Sequence, residues 1–378
     1  MHKFVKLDLE MENGRKFCLN RDYIEPFKED IIKFLDGEDY MNNIAFAKKM
    51  MMSQEIKSNN TIEGINDDLT IIDEVIKCKS SLSMRERKRI INLYHGYQYI
   101  LTNDKIDKEH LRELYSILSD DILDSYDKTY MGEYYRTKPV YILKGSRLDT
   151  DPYLGMPHDK LDYFMDMFFS YVNDNKVDSQ IDVFIKSQIM HFYFVYIHPY
   201  FDVNGRTSRT VSMWYLLNNN SYPYIIFNRA IAFSQKGYES NIIKARESGD
   251  VTLFLKYMLI NVLRELEKEY VIHNIQENSK YKLSKEDCQM LEYLLEVKNN
   301  LTLKDLATVY NHYNEHKNIN VIVNEKILPL LDKKIILDKG YTKNNISCNM
   351  SNMWIAVNSD MIDVREEKIK YLKLERFK

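Results

Sequence analysis

The chain is poor in the residues that interrupt helices or cross-link small proteins. Its 378 residues include only 11 glycines, 7 prolines and 4 cysteines. The cysteines lie far apart and form no Cys-x-x-Cys pair, which argues against a zinc site or a small disulfide scaffold and indicates reduced thiols. Long apolar runs are also missing, since residues 189–197 fall far short of the roughly 20 that cross a bilayer. We therefore expect a soluble, cytoplasmic protein without a signal peptide.

An excess of charge of one sign is also absent. The 53 basic and 56 acidic residues nearly cancel, so the whole chain has no electrostatic attraction to nucleic acid or to an anionic membrane. The length is sufficient for two or three hydrophobic cores. We expect a catalytic domain with flanking modules.

Apolar residues three or four positions apart are abundant, and they predict a mainly α fold. The predicted helices span residues 43–60, 69–79, 84–102, 108–120, 160–173, 183–197, 206–218, 238–248 and 251–274. Residues 135–145 are rich in β-branched and aromatic types and predict a short β-hairpin. The predicted regions are an N-terminal helical region at 1–85, a catalytic domain at 86–275 and a C-terminal domain at 276–378.

The C-terminal region has a different pattern. It predicts helices at 285–297, 302–310 and 323–331, then a strand at 334–337 and a turn at Gly340, an order that resembles a winged helix. Residues 281–378 contain 16 basic and 14 acidic side chains. That balance is weak for a phosphate-binding surface and favours a protein-docking or dimerisation module over a DNA-binding one.

The most informative segment is residues 198–209, with the sequence HPYFDVNGRTSR. Pro199 disfavours helical geometry at the residue before it, so a helix should end near His198. A new helix is predicted to begin at Arg206, and Arg209 lies on the same face one turn later. A helix N-terminus beside two arginines suits a polyphosphate.

This segment resembles the signature of the Fic family, which reads His-Pro-Phe, any residue, Asp or Glu, Gly-Asn-Gly-Arg, two residues, Arg. The resemblance implies a Fic-type helical bundle with a β-hairpin flap, and transfer of AMP from ATP to a Ser, Thr or Tyr hydroxyl of a target protein. It implies that His198 is the general base and that Asp202 holds Mg²⁺. It assigns nucleotide binding to Val203, Asn204, Gly205, Arg206 and Arg209. Gly132, Arg136 and the target-docking residues Val140, Tyr141, Ile142 and Leu143 resemble the flap.

Two positions depart from the signature. Tyr200 replaces phenylalanine, which is harmless where its hydroxyl finds a partner. Val203 replaces glycine, and a β-branched residue adopts a left-handed backbone only with difficulty. If the position requires positive φ, we expect a distorted anion site and lower activity.

A second motif lies upstream, where the helical pattern ends in the sequence SNNTIEG at residues 58–64. It resembles the Fic inhibitory motif, although Asn59 stands where the motif has Ser or Thr. The resemblance implies that Glu63 competes with the γ-phosphate for Arg209. We therefore expect autoinhibition by an amino-terminal helix.

Other functions stay open from the sequence. The same site could remove AMP from a modified protein, or transfer phosphate or another phosphorylated group, although Arg209 favours the AMP-transfer orientation. A different class is a regulator that binds DNA or protein through the C-terminal region. The expected partners are ATP and an unidentified target protein, with self-modification and a homodimer as further options and nucleic acid as the weaker one.

Overall fold

The computed structural model describes residues 4–51, 53–65, 67, 69–77, 84–142, 153–174, 177–232, 234–279, 281–296, 301–314, 316–341, 353–357 and 370–372. These residues form a mainly helical fold with three small antiparallel sheets. The predicted mainly α class is confirmed. The chain divides into two compact units, one of residues 1–67 with 71–262 and one of residues 68–70 with 263–378.

Helices dominate the described residues. They are α1 (Arg21–Leu35), α2 (Ile44–Met50), α3 (Ser53–Ile62), α4 (Leu69–Ile76), α5 (Met84–Thr102), α6 (Lys108–Ser119), α7 (Ser125–Tyr130), α8 (Leu161–Asn173), α9 (Gln180–Ile197), α10 (Asn204–Asn218), α11 (Phe227–Ala232), α12 (Gln235–Ser248), α13 (Thr252–Ser279), α14 (Lys285–Glu296), α15 (Leu303–Tyr313), α16 (Ile319–Ile322) and α17 (Leu328–Asp332). None of them combines the length and the apolar character needed to cross a bilayer.

Helices α9 and α10 form the centre of the first unit. Nearly every residue of both is buried, which is typical of helices that are enclosed on all sides. Helix α9 begins at the cap residue Ser179, whose hydroxyl accepts from Asp182 N at 3.3 Å. Because the loop between the two helices is anchored at both ends in the core, its residues are held in fixed positions.

Most predicted helices are confirmed to within a few residues, and α5 matches its predicted bounds. The single helix predicted over 43–60 is wrong, because α2 ends at Met50 and α3 begins at Ser53. Apolar residues continue at helical spacing across this break, so periodicity does not reveal it.

The first unit contains two small strand pairs in its described part. The pair β1 (Phe4–Glu10) and β2 (Lys16–Asn20) is antiparallel and precedes α1; the sequence did not predict it. The other pair is β3 (Tyr141–Ile142) and β4 (Tyr153–Leu154). The hairpin predicted within 135–145 is therefore correct in its first strand only, since the partner strand comes from beyond residue 152.

The second unit contains a three-stranded antiparallel sheet in its described part. The strands β5 (Leu301–Thr302), β6 (Ile336–Tyr341) and β7 (Met353–Val357) lie in the order β5-β7-β6. The predicted turn at Gly340 is wrong, because this glycine lies inside β6 where the register with β7 shifts, a common position for glycine in a strand. The winged helix and the region boundaries at 85 and 275 stay predictions.

Candidate active site

The loop between α9 and α10 begins with His198. Helix α9 ends at Ile197, and His198 caps it in the left-handed region with φ 55°. Pro199 accounts for this stop, since the residue before a proline is disfavoured in right-handed helical geometry. The predicted helix end is confirmed, and the half-buried imidazole lies just beyond the helix.

The surroundings of His198 favour the neutral imidazole. Burial lowers the pKa of His198 to about 4, and the positive charges of Arg136 and Arg246 act in the same direction. The Val195 carbonyl and the Glu63 carboxylate oppose the shift but do not outweigh it. The Nδ1 atom lies 3.4 Å from Val195 O, a long contact that favours the proton on Nδ1 and leaves the lone pair on Nε2.

Asn204 holds the loop after His198 closed. Its Nδ2 donates to Tyr200 O at 2.8 Å, and its Oδ1 accepts from Tyr200 N at 3.0 Å. Both ends of the side-chain amide are therefore engaged within the loop. The group that Asn204 offers to an anion is its backbone N–H in the first turn of α10, which has no acceptor within the helix.

Val203 occupies the position before α10 with φ 64° and ψ 10°. The sequence alone leaves open whether this position requires positive φ, and the structure shows that it does. The Val203 carbonyl accepts from Thr207 N at 2.9 Å and from Thr207 Oγ1 at 2.8 Å, while Val203 N donates to Asp202 Oδ1 at 2.6 Å. These bonds hold a β-branched residue in a geometry that costs about 1–3 kcal/mol.

Replacing Val203 by glycine should destabilise the protein less than the same change at Val211 in α10. Both valines are buried, but only Val203 has positive φ, so glycine relieves strain there alone. We expect the free energy of unfolding, measured in urea, to fall by about 1–3 kcal/mol less for Val203→Gly than for Val211→Gly. Equal losses would show that the left-handed geometry is not strained.

Tyr200 is fully buried and stacks on Tyr115, with ring centroids 3.5 Å apart and an interplanar angle of 12°. Its hydroxyl has no hydrogen-bond partner among the described residues, and the same holds for the hydroxyls of Tyr115 and Tyr135. A tyrosine at this position is harmless only where its hydroxyl has a hydrogen-bond partner, and the described residues supply none. Burial raises the pKa of Tyr200 well above its ordinary value.

Replacing Tyr200 by phenylalanine should stabilise the protein. The change removes a buried hydroxyl that has no partner and keeps the stacked ring, so we expect the free energy of unfolding to rise by about 1 kcal/mol. Tyr193→Phe is the matched control, because that hydroxyl donates to Glu10 O at 3.1 Å and its removal should lower stability. A loss of stability in Tyr200→Phe would show that its hydroxyl is satisfied.

Arg209 contacts two side chains, that of Asn59 on α3 and that of Glu63 just after α3. The Nε and Nη2 atoms donate to Asn59 Oδ1 at 3.1 and 2.8 Å, and Nη2 also donates to Glu63 Oε1 in a close ion pair. The guanidinium is 1% exposed, whereas the Glu63 side chain is 31% exposed. The predicted meeting of Glu63 with Arg209 is thus present in the geometry. The departure at Asn59 is explained too, since its amide oxygen binds Arg209 directly.

Glu63 lies over the first turn of α10 at Gly205. A Cβ atom at Gly205 would approach Glu63 Oε1 to 2.6 Å and Arg209 Nη1 to 3.2 Å, so only glycine leaves room for this carboxylate. The N–H groups of the first helical turn have no acceptor within the helix and form the positive end of its dipole. The carboxylate therefore lies close to the start of α10.

The charges at this site are strongly coupled. Burial by itself would raise the pKa of Glu63, but Arg209 and Arg206 outweigh it and hold the pKa below its ordinary value. Arg206 is buried, which lowers its pKa, and its Nε atom donates no hydrogen bond within the described part of the chain. Arg206 thus offers a buried donor that an anion could use.

Two buried residues lie behind Arg209, and one of them, Tyr238, is missing from the sequence prediction. The Tyr238 hydroxyl lies 2.6 Å from His191 Nε2, and the positive charge of Arg209 opposes the rise that burial causes in the pKa of Tyr238. Burial is the main cause that lowers the pKa of His191 to about 3, so His191 is neutral. No local motif marks this pair, because Tyr238 comes from α12 and reaches Arg209 only in the folded chain.

The strand pair β3–β4 is close to His198. Val140 O accepts from Gly155 N at 2.9 Å, and the paired residues Tyr141 and Leu154 are 67% and 57% exposed. Leu143, the last predicted flap residue, lies outside the described residues. The pair therefore presents apolar side chains to solvent beside the histidine, as a docking element would.

A metal site would depend on Asp202. Its carboxylate is exposed and uses Oδ1 to cap Val203 N. No group of three or more His, Cys, Asp or Glu residues in the described ranges is arranged to hold a metal ion. A cation bound here would therefore rest on one carboxylate together with water and ligand oxygens, a coordination that Mg²⁺ accepts.

A family model and curated relatives that match this chain agree on the family. A family model described as the Fic/DOC family matches residues 105–216, which include the loop from His198 to Arg209 but not Glu63. Two curated relatives named protein adenylyltransferase Fic, from Drosophila grimshawi and Culex quinquefasciatus, are each 26% identical over 219 and 220 residues. These alignments cover 56% of this chain and 41% and 40% of the relatives. The chain thus spans about two fifths of the length of the curated relatives it matches.

Solved structures show a similar fold. A Fic family protein from Desulfovibrio desulfuricans G20 aligns with a TM-score of 0.53 at 18% identity, covering 89% of this chain and 94% of that one. Fic-1 from C. elegans aligns with a TM-score of 0.50 at 17% identity, covering 66% and 71%. At these identities the likeness concerns the fold alone.

Proposed function

Because the chain carries a Fic domain over residues 105–216, we propose that it transfers AMP from ATP to a hydroxyl group of a protein side chain. The observation that carries the proposal is a single loop that joins a neutral histidine to a helix start with two buried arginines. The curated relatives are adenylyltransferases by name, which supports the same reaction class.

In the proposed reaction, His198 is the general base. The target oxygen bonds to the α-phosphorus of ATP while the bond from that phosphorus to pyrophosphate breaks, and Nε2 of His198 takes the hydroxyl proton. A base must be unprotonated to act, and the pKa of about 4 leaves the ring neutral across the physiological range. The products are an AMP ester of the target and pyrophosphate.

The first turn of α10 is the proposed site of the polyphosphate. Its backbone N–H groups and helix dipole favour anions, and the Glu63 carboxylate lies next to it at Gly205. The buried Nε of Arg206 lacks an acceptor in the described residues, as expected for a donor meant for a ligand. Arg209 binds a carboxylate with bonds that a phosphate oxygen could accept instead.

Asp202 is the residue we propose to hold Mg²⁺. It is exposed, and one of its oxygens remains after Oδ1 caps Val203 N. When bound, the ion supplies charge neutralisation to the phosphates. The residues of the chain then bind, orient and deprotonate.

Glu63 is the proposed inhibitor of this site. It forms an ion pair with Arg209, and a group bound there excludes a phosphate oxygen from the same guanidinium. Helix α3, which ends one residue before Glu63, is held by a second contact, because its Asn59 also binds Arg209. Activation therefore requires Glu63 to leave while Arg209 stays in place.

The experiment is incubation of the purified chain with ATP and Mg²⁺, with and without candidate target proteins, followed by intact-mass spectrometry. We expect a mass increase equal to one adenylyl group on the chain itself or on a target. An increase equal to a phosphoryl group would instead favour phosphate transfer, and loss of AMP from a premodified protein would favour de-AMPylation. Mass increases that persist in His198→Ala would contradict the proposed base.

A further inference from the structure

Two arginines outside the signature contact the backbone on either side of His198. Arg136 is 2% exposed, and its Nε donates to His198 O at 2.9 Å while its Nη2 donates to Met156 O. Its backbone N–H also donates to Pro199 O at 3.0 Å. Every hydrogen bond shown for Arg136 in the described residues goes to a main-chain carbonyl.

Arg246 makes the equivalent pair of contacts from α12. Its Nη1 donates to Tyr196 O at 3.2 Å, and its Nη2 donates to Leu154 O at 2.6 Å. The guanidinium lies 4.9 Å from the centre of the Tyr196 ring. Each arginine therefore links a carbonyl at the end of α9 to a carbonyl of β4 or of the residues just after β4.

The two contacts alternate along both segments. Arg246 donates to the carbonyls of residues 196 and 154, and Arg136 donates to those of residues 198 and 156. Between these contacts, Met156 N donates to Ile197 O at 3.2 Å. The carbonyls at a helix C-terminus lack intrahelical donors and form the negative end of its dipole, so cations are stabilised there. Two guanidinium groups thus satisfy the helix end and attach the flap to it.

Gly155 shows how tightly the flap approaches the histidine. A Cβ atom there would come within 2.7 Å of Val140 Cγ1, 3.0 Å of Arg136 Nη2 and 3.5 Å of His198 Cβ. No side chain fits between β3, the arginine and the histidine. The backbone of the β3–β4 flap therefore lies directly against His198.

We propose that Arg136 and Arg246 are positioning residues that hold His198 and the flap as one rigid unit, so that a target docked on the flap meets the base at a fixed distance. The proposal rests on the proposed function in treating His198 as the base. It adds a role for two arginines that lie on separate elements outside the signature.

The same arrangement affects protonation of the ring. Arg136 and Arg246 are the cations that lower the pKa of His198, and Glu63, the residue after α3, is the carboxylate that opposes them. Removing one cation should therefore raise the pKa of His198, while replacing it by lysine should keep the charge and lose the forked geometry. Charge and position can thus be separated.

Arg246 is the residue to change first, since it is only half-buried and its loss should leave the chain folded. The experiment compares wild type, Arg246→Gln and Arg246→Lys by NMR titration of the histidine signals, with His198 assigned by its absence in His198→Ala. Amide exchange at Met156, whose N–H is bonded to Ile197 O, is followed in parallel. Neither readout depends on turnover, so a failure of the proposed function leaves both intact.

We expect Arg246→Gln to raise the pKa of His198 and to speed exchange at Met156. Arg246→Lys should speed exchange and leave the pKa near the wild-type value. In AMP transfer, both variants should lower kcat by about tenfold, and the acidic limb should move to higher pH in Arg246→Gln alone. Arg112→Gln is the control, because Arg112 also donates to a carbonyl, that of Glu133 at 2.7 Å, but is not one of the charges that shift the pKa of His198. Unchanged exchange and pKa in Arg246→Gln would overturn the proposal.

Discussion

Glu63→Gly should raise the rate of AMP transfer by about ten- to a hundredfold. The change removes the carboxylate that binds Arg209, and a charge-assisted hydrogen bond of this kind is worth about 1.5–3 kcal/mol. The first turn of α10 then becomes open to a phosphate. The measurement is the initial rate of labelled AMP incorporation from ATP at fixed Mg²⁺.

Two further variants separate charge from helix structure. Glu63→Gln keeps the size of the side chain and removes its charge, so it should activate as well, though less than glycine. Glu29→Gly changes an exposed glutamate of α1 whose ion pair among the described residues is with Lys33, and it should leave the rate unchanged. An unchanged rate in both Glu63 variants would mean that Arg209 is not limiting.

His198→Ala should lower AMP transfer by at least about a hundredfold, because general-base catalysis typically contributes factors of about 10² to 10⁴. The effect should appear in kcat and leave nucleotide binding nearly intact, since the described phosphate-site groups lie on α10 and in the residues before it. His110→Ala is the control, as this ring contacts Asp107 in α6 at 2.6 Å and lies outside the site.

The pH profile adds a second check on His198. The neutral ring is the active form, and its pKa is lowered to about 4, so activity should stay constant from neutral pH until the pH approaches that value. A loss of activity below about pH 6.5, the ordinary pKa of histidine, would show that the pKa of His198 is not lowered during turnover. Transfer in His198→Ala close to the wild-type rate would exclude it as the base.

The sequence predicts well where the helices on either side of the loop end and begin, because that information is local. Pro199 fixes where α9 ends, and the spacing of Arg206 and Arg209 places both on the first turns of α10. The backbone at Val203 is different. Its substitution for glycine is visible in the sequence, but its positive φ is decided by hydrogen bonds with Asp202 and Thr207 that only the folded loop shows.

Contacts between distant parts of the chain could not be predicted. Arg136 reaches His198 across 62 positions, and Arg246 reaches Tyr196 across 50, without any local pattern. The partner of β3 is β4 (Tyr153–Leu154), which lies beyond the predicted segment 135–145, so the flap was predicted one strand short. The strand pair β1–β2 was missed because its alternation of charged and apolar residues is brief and half-exposed.

We propose that Arg209 binds either Glu63 or the γ-phosphate of ATP, but not both at once. Calorimetric titration with ATP and with AMP tests it most directly, using His198→Ala and the double variant His198→Ala with Glu63→Gly so that ATP is not consumed. The account predicts that removing Glu63 tightens ATP binding by about tenfold or more and leaves AMP binding unchanged, since AMP lacks the phosphate that needs Arg209. Equal ATP affinity in the two proteins, or an equal gain for AMP, would contradict it.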